Sequence, residues 1–127
     1  MPKLCVEKYN AVGLPVTNSG TGINNGGHVV GSFAAHAAVW NGTTIKDLGT
    51  LGGTVSGAQA INDAGQIVGY SETSTSTSHA TLWDGDTITD LGTLGGLNST
   101  AFSINDIGRI VGVASTADNA AVATLWK

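Results

Sequence analysis

Short apolar runs dominated by β-branched and aromatic residues, each bounded by Gly, Asn or Asp, succeed one another along the chain. They predict strands joined by tight turns. The stretch from Ala58 to Ile104 shows the order best. Asn62-Asp63-Ala64-Gly65 has turn chemistry, with Asn and Asp early and Gly where a left-handed backbone is needed. Gln66–Ser71 then reads as a strand, the polar tract Glu72–Ser78 as a loop, and His79–Trp83 as a second strand. Asp84-Gly85-Asp86 is a hairpin turn, Thr87–Gly92 a third strand, Gly95-Gly96 a break and Thr100–Ile104 a fourth strand. Strands such as Gln66–Ser71 lack clean alternation, which points to burial on both faces. Ser32–Asn41 is alanine-rich and has helical propensity. Its counterparts at 78–84 and 121–127 carry Thr and β-branched residues, so it too is predicted as strand. The expected fold is all-β, without helix.

The pattern repeats. Trp40, Trp83 and Trp126 fall 43 residues apart, and Asp47-Leu-Gly-Thr-Leu-Gly-Gly53 returns in step as Asp90-Leu-Gly-Thr-Leu-Gly-Gly96. Ile23-Asn24-Asn25, Ile61-Asn62-Asp63 and Ile104-Asn105-Asp106 form a second register, each leading into a Val-Gly strand. A period of this length marks copies of one supersecondary unit. Loops absorb the differences: Gly31 to His36 is five steps, whereas Gly69 to His79 and Gly112 to Val122 are ten.

The units are read as 24–61, 62–104, and a composite of 105–127 with 8–23, each a four-stranded antiparallel meander of β-propeller blade size. In the composite, Lys8–Pro15 and Ser19–Ile23 supply the third and fourth strands. Propellers use about four to eight blades, so three do not surround an axis. Two chains would make a six-bladed ring, a homodimer sharing N- and C-terminal strands. A monomeric β-trefoil-like threefold fold is the alternative.

Charged residues make up 11% of the 127 residues, against about a quarter in ordinary domains, while a hydrophobic content of 41% suffices for a core. The net charge of −4 and the five scattered basic residues argue against nucleic acid and anionic membranes as partners. Cys5 stands alone, so no intrachain disulfide is expected. Met1–Lys8 has no long apolar segment, so no signal peptide is expected there, and no run is long enough for a membrane-spanning helix.

Ile61–Ser71, His79-Ala-Thr-Leu-Trp83 and Asp90–Gly96, taken in order, resemble the bacterial HAF extracellular repeat, named for a His-Ala-Phe motif ahead of Leu-Trp. The resemblance spans residues 20–126; Ala38 and Thr81 replace its Phe, and Val122 replaces its His in the last copy. It implies a propeller-like array in an extracellular or cell-surface setting, and brings no catalytic residues.

His36 and His79 each precede a Trp by four positions and an Asp, Asp47 or Asp90, by eleven. Across a hairpin these spacings predict a structural His–Asp hydrogen bond, the carboxylate fixing the imidazole tautomer. Val122 replaces the His in the last copy, and Asn10 or Val12 aligns with the Asp, so both members change together. Trp40, Trp83 and Trp126 are expected to pack between units rather than stack on sugars.

The Asn/Asp turns and Asp84-Gly85-Asp86 muster too few carboxylates each for calcium, so no metal is expected. The glycine-rich strings lack the Lys-Ser/Thr of a phosphate loop, so no nucleotide or other cofactor is expected. No Ser has the setting of a nucleophile elbow. The expected function is non-enzymatic: a β-repeat binding or scaffold module with a glycan or protein ligand, met on a face or in an axial channel. Glu72–Ser78 and Ser115–Ala121 are its expected variable contacts. A carbohydrate-binding lectin and a hydrolase with a channel site are the alternatives.

Overall fold

Each Ile-Asn turn folds the chain back within four residues. The Asn24 N–H donates to the His28 carbonyl (3.2 Å), and the Asn24 side-chain oxygen accepts the His28 N–H (3.0 Å). Asn62 with Gln66, and Asn105 with Arg109, repeat both bonds. Gly65, at φ +85°, takes the left-handed position that closes the middle turn. A turn closed by these two bonds sets the strands on either side of it antiparallel and in register to pair with each other.

The sheets follow from that pairing. The computed structural model describes residues 9–14 and 19–127, and among these every regular element is a strand. Sheet A joins β1 (Ser19–Ile23), β2 (Val29–Phe33), β3 (His36–Trp40) and β4 (Ile45–Gly49). Sheet B joins β5 (Gly52–Ile61), β6 (Ile67–Thr73), β7 (Ser78–Asp84) and β8 (Thr87–Gly92). Sheet C has β9 (Gly95–Ile104), β10 (Ile110–Thr116) and β11 (Ala121–Trp126). All neighbours are antiparallel, in chain order.

The sheets are cut one strand earlier than the sequence units, at Thr50-Leu51 and Thr93-Leu94 rather than at the Asn turns. Ser19–Ile23 therefore opens sheet A instead of closing a composite with 105–127. Residues 9–14 form no strand; Lys8 and Pro15, the ends of the expected third strand, lie outside the described residues. Gly95-Gly96 is no break but the start of β9, and Glu72–Ser78 shrinks to a four-residue turn because β6 runs to Thr73 and β7 starts at Ser78. Of the alanine-rich 32–41 segment, His36–Trp40 is strand β3, as expected from its counterparts, but Ser32 and Phe33 end β2, and Ala34-Ala35, both at positive φ, make the turn between the two strands.

Successive sheets pack through equivalent residues. Val30, Ala37 and Leu48 of sheet A meet Ala58, Ile61, Ile67 and Trp83 of sheet B. Their counterparts Val68, Ala80 and Leu91 meet Ala101, Ile104, Ile110 and Trp126 one sheet further on. The long first strand of each sheet makes the join: β5 lies against β1, β2 and β3, and β9 against β5, β6 and β7.

Ser56, 2% exposed, reaches from β5 into sheet A, accepting the Ala37 N–H (2.8 Å) and donating to the Gly49 carbonyl (2.8 Å). Ser99 does the same from β9, to Ala80 (2.7 Å) and Gly92 (2.6 Å). Both serve the bulge between the third and fourth strands, where two backbone groups would otherwise be buried unpaired.

Candidate functional site

The three Asn turns lie at one end of the sheets and side by side. Each reaches to the next with the same two groups. The Asn24 side-chain amide donates to the Asn62 carbonyl (3.1 Å), and the Asn62 amide to the Asn105 carbonyl (3.0 Å). The Asn25 N–H donates to the Asp63 carboxylate (2.8 Å), and the Asp63 N–H to that of Asp106 (2.9 Å). The result is a ladder running in one direction, from the first turn to the third. It floors a shallow, mostly polar depression of about 300 Å³ lined by Asn24, Asn25, Asn62, Asp63, Asn105 and Asp106 together with the three Ile residues before them.

Asn62 is almost wholly buried and fully engaged: its amide also donates to Gln66 Oε1 (2.8 Å) while its oxygen accepts the Gln66 N–H. Asp63 is exposed but held. The Asn25 backbone N–H, and then the Asn25 side-chain amide (2.7 Å), keep its carboxyl below the usual carboxylate range. A lowered carboxylate pKa adds stability above the ordinary carboxylate value, and that contribution disappears as pH falls through the lowered folded value. Asn25→Ala removes only the side-chain donor. NMR titration of the Asp63 carboxyl is expected to show its midpoint rising toward the ordinary range without reaching it.

The His–Asp pairs are in contact. His36 Nδ1 lies 2.9 Å from Asp47 Oδ2, and His79 Nδ1 lies 2.8 Å from Asp90 Oδ2. A carboxylate only accepts, so the Nδ1 proton points at the Asp and the tautomer is set. The same carboxylates accept the N–H of Gly49 and Gly92 (2.8 Å each), tying the imidazole to the β-bulge. Partial exposure limits each pair to about 1 kcal/mol. Val122, in the third position, is exposed.

The tryptophans divide. Trp83 is 2% exposed between sheets A and B, its indole N–H without a partner among the described residues; Trp40 and Trp126 are half-buried. Among the described residues no three His, Cys, Asp or Glu side chains are grouped to hold a metal ion. Cys5 and the other residues of 1–8 fall outside what the structure describes, while Asn10 and Val12, the positions aligned with the Asp, are exposed and lie outside any strand. The shared turn face is the feature sequence reasoning missed. Its signal is the recurrence of Asn24-Asn25, Asn62-Asp63 and Asn105-Asp106 at equivalent places in the repeat. Comparison of the chain with family models, curated proteins and solved structures finds no match.

Proposed function

We propose that the chain is a non-enzymatic binding or scaffold module of the propeller type, each sheet a blade, with two chains supplying six blades to one ring. The side-by-side first strands β1, β5 and β9 support this, since innermost strands around an axis neighbour one another in that way. The resemblance to the HAF repeat supports a propeller-like array and an extracellular or cell-surface setting.

The observation that carries the reading is the turn face. Three repeats contribute donors and acceptors to one depression, and their carboxylates are occupied by hydrogen bonds rather than paired with a base or nucleophile. Such a surface suits recognition of a polar ligand, a glycan or a protein loop, by hydrogen bonding. Sugar stacking on Trp83 is blocked by its burial, so a lectin role would use the turns rather than the indole.

The 74–77 and 117–120 turns lie at the opposite end of the strands and offer a second face. An array of immobilised glycans and peptides, probed with labelled chain, tests the reading. Binding to a ligand on the array should fall at least tenfold in Asp106→Ala and stay unchanged in Asp118→Ala. The reverse pattern would move recognition to the opposite face, and turnover of an array substrate would replace binding with catalysis.

A further inference from the structure

We infer that the outer face of sheet C docks head-to-tail on the outer edge of sheet A of a second copy of this chain. The inference rests on the ring reading above and specifies its junction. Each sheet offers the next a valine: Val30 and Val68 are 0% exposed beneath the following sheet, but their counterpart Val111 is 49% exposed. Each sheet also receives its predecessor on the isoleucine before its Asn turn. Ile61 and Ile104 are 9% exposed, whereas Ile23 is 68% exposed. Among the described residues no sheet covers Val111 and none packs on Ile23, and the two exposed surfaces are the same pair that meets between A and B and between B and C.

The hydrogen-bond ladder ends in the matching way. Asn24 and Asn62 donate through their amides and Asn25 and Asp63 through their N–H groups, but the Asn105 amide and the Asp106 N–H have no acceptor among the described residues. At the other end, the Asn24 carbonyl and the Asn25 side-chain oxygen stand where Asn62 and Asp63 accept. Two donors and two acceptors remain, in the geometry the chain already uses twice.

Shape agrees. Leu14, Gly20, Thr21, Gly22, Ile23 and Val29 line an apolar depression of about 340 Å³ on sheet A. Gly20, Ile23 and Val29 are the counterparts of Ala58, Ile61 and Ile67, the surface that covers Val30. Gly20 is smaller than Ala58 or Ala101, and Phe102, 54% exposed, occupies the bulge position from which Thr21 bonds the Ala58 carbonyl (2.6 Å). The missing methyl leaves room for that ring. A head-to-tail contact made twice closes with two-fold symmetry.

Sedimentation equilibrium on the full chain tests this with Val111→Glu and Ile23→Glu, both at positions exposed in the single chain, with circular dichroism confirming the fold. Wild type is expected at twice 12.7 kDa. Each variant should associate at least tenfold more weakly, and an equimolar mixture should regain part of the dimer, because one junction then keeps both native surfaces. Dimers unaffected by either substitution would overturn this junction while leaving the ring reading in place. A monomeric wild type would overturn both. A dimer sensitive to Val111→Glu alone would mean that sheet C meets sheet C, and would also overturn it.

Discussion

Trp83→Ala is expected to lower the free energy of unfolding by about 3–5 kcal/mol, the usual cost of truncating a buried aromatic side chain. That is a large part of the roughly 5–15 kcal/mol that holds an ordinary domain folded. The indole closes the gap between sheets A and B, touching the cluster of Val30, Ala37, Leu48, Ala58, Ile61 and Ile67. Its removal leaves a cavity that these short side chains cannot collapse into without moving a strand. Trp83→Phe should cost distinctly less, because the indole N–H has no acceptor among the described residues to lose. Trp126→Ala should also cost less, since that ring is only partly covered. Urea titrations of the three variants, followed by far-UV circular dichroism, give the order.

Gly69→Ala should be comparably damaging although it adds only a methyl group. A Cβ at Gly69 would lie 2.0 Å from the Gly57 carbonyl oxygen and 3.0 Å from the Ala58 Cα. Both are backbone atoms of the neighbouring strand, so no side chain can swing aside. The approach is close because the β5–β6 pair slips its register next to this point, where Ala58 faces Gly69 and Ala60 faces Val68. Gly31 and Gly112 meet the Ser19 and Thr100 carbonyls in the same way, at 1.9 Å and 2.0 Å. Overpacking of this kind costs about 1–3 kcal/mol where neighbours can shift, and more where they cannot. We expect a loss of at least about 3 kcal/mol for Gly69→Ala in the same titration, against little change for Ala64→Gly in the exposed turn beside it.

The glycines of the Val-Gly strands illustrate what the sequence could reveal. Their recurrence was plain, and so were the strands, the turn residues and the eleven-residue spacing of His79 and Asp90. Each is local chemistry, written in neighbouring residues. The cut between sheets was not legible from the period, because a repeat can be divided at any point and remain a repeat. The chemistry of Asn62-Asp63-Ala64-Gly65 held the answer: a turn whose Asn bonds back to Gln66 through both backbone and side chain closes a hairpin, so it lies inside a sheet and the boundary falls at Thr50-Leu51. The shared turn face was hidden for a different reason. Asn25, Asp63 and Asp106 are far apart in the chain, and only the stacking of sheets makes one ladder of them.

That ladder underlies both the proposed ligand face and the proposed junction, and the nuclear Overhauser spectrum of the labelled chain tests it most directly. The expected result is a set of cross-peaks from the Asp63 amide to the Asp106 side chain and from the Asn62 side-chain amide to the residues around Asn105, alongside cross-strand peaks joining Ile104 to Ile110. Turns that show contacts only within themselves, or a β9 whose cross-strand peaks run to Thr87–Gly92 instead of Ile110–Thr116, would contradict it.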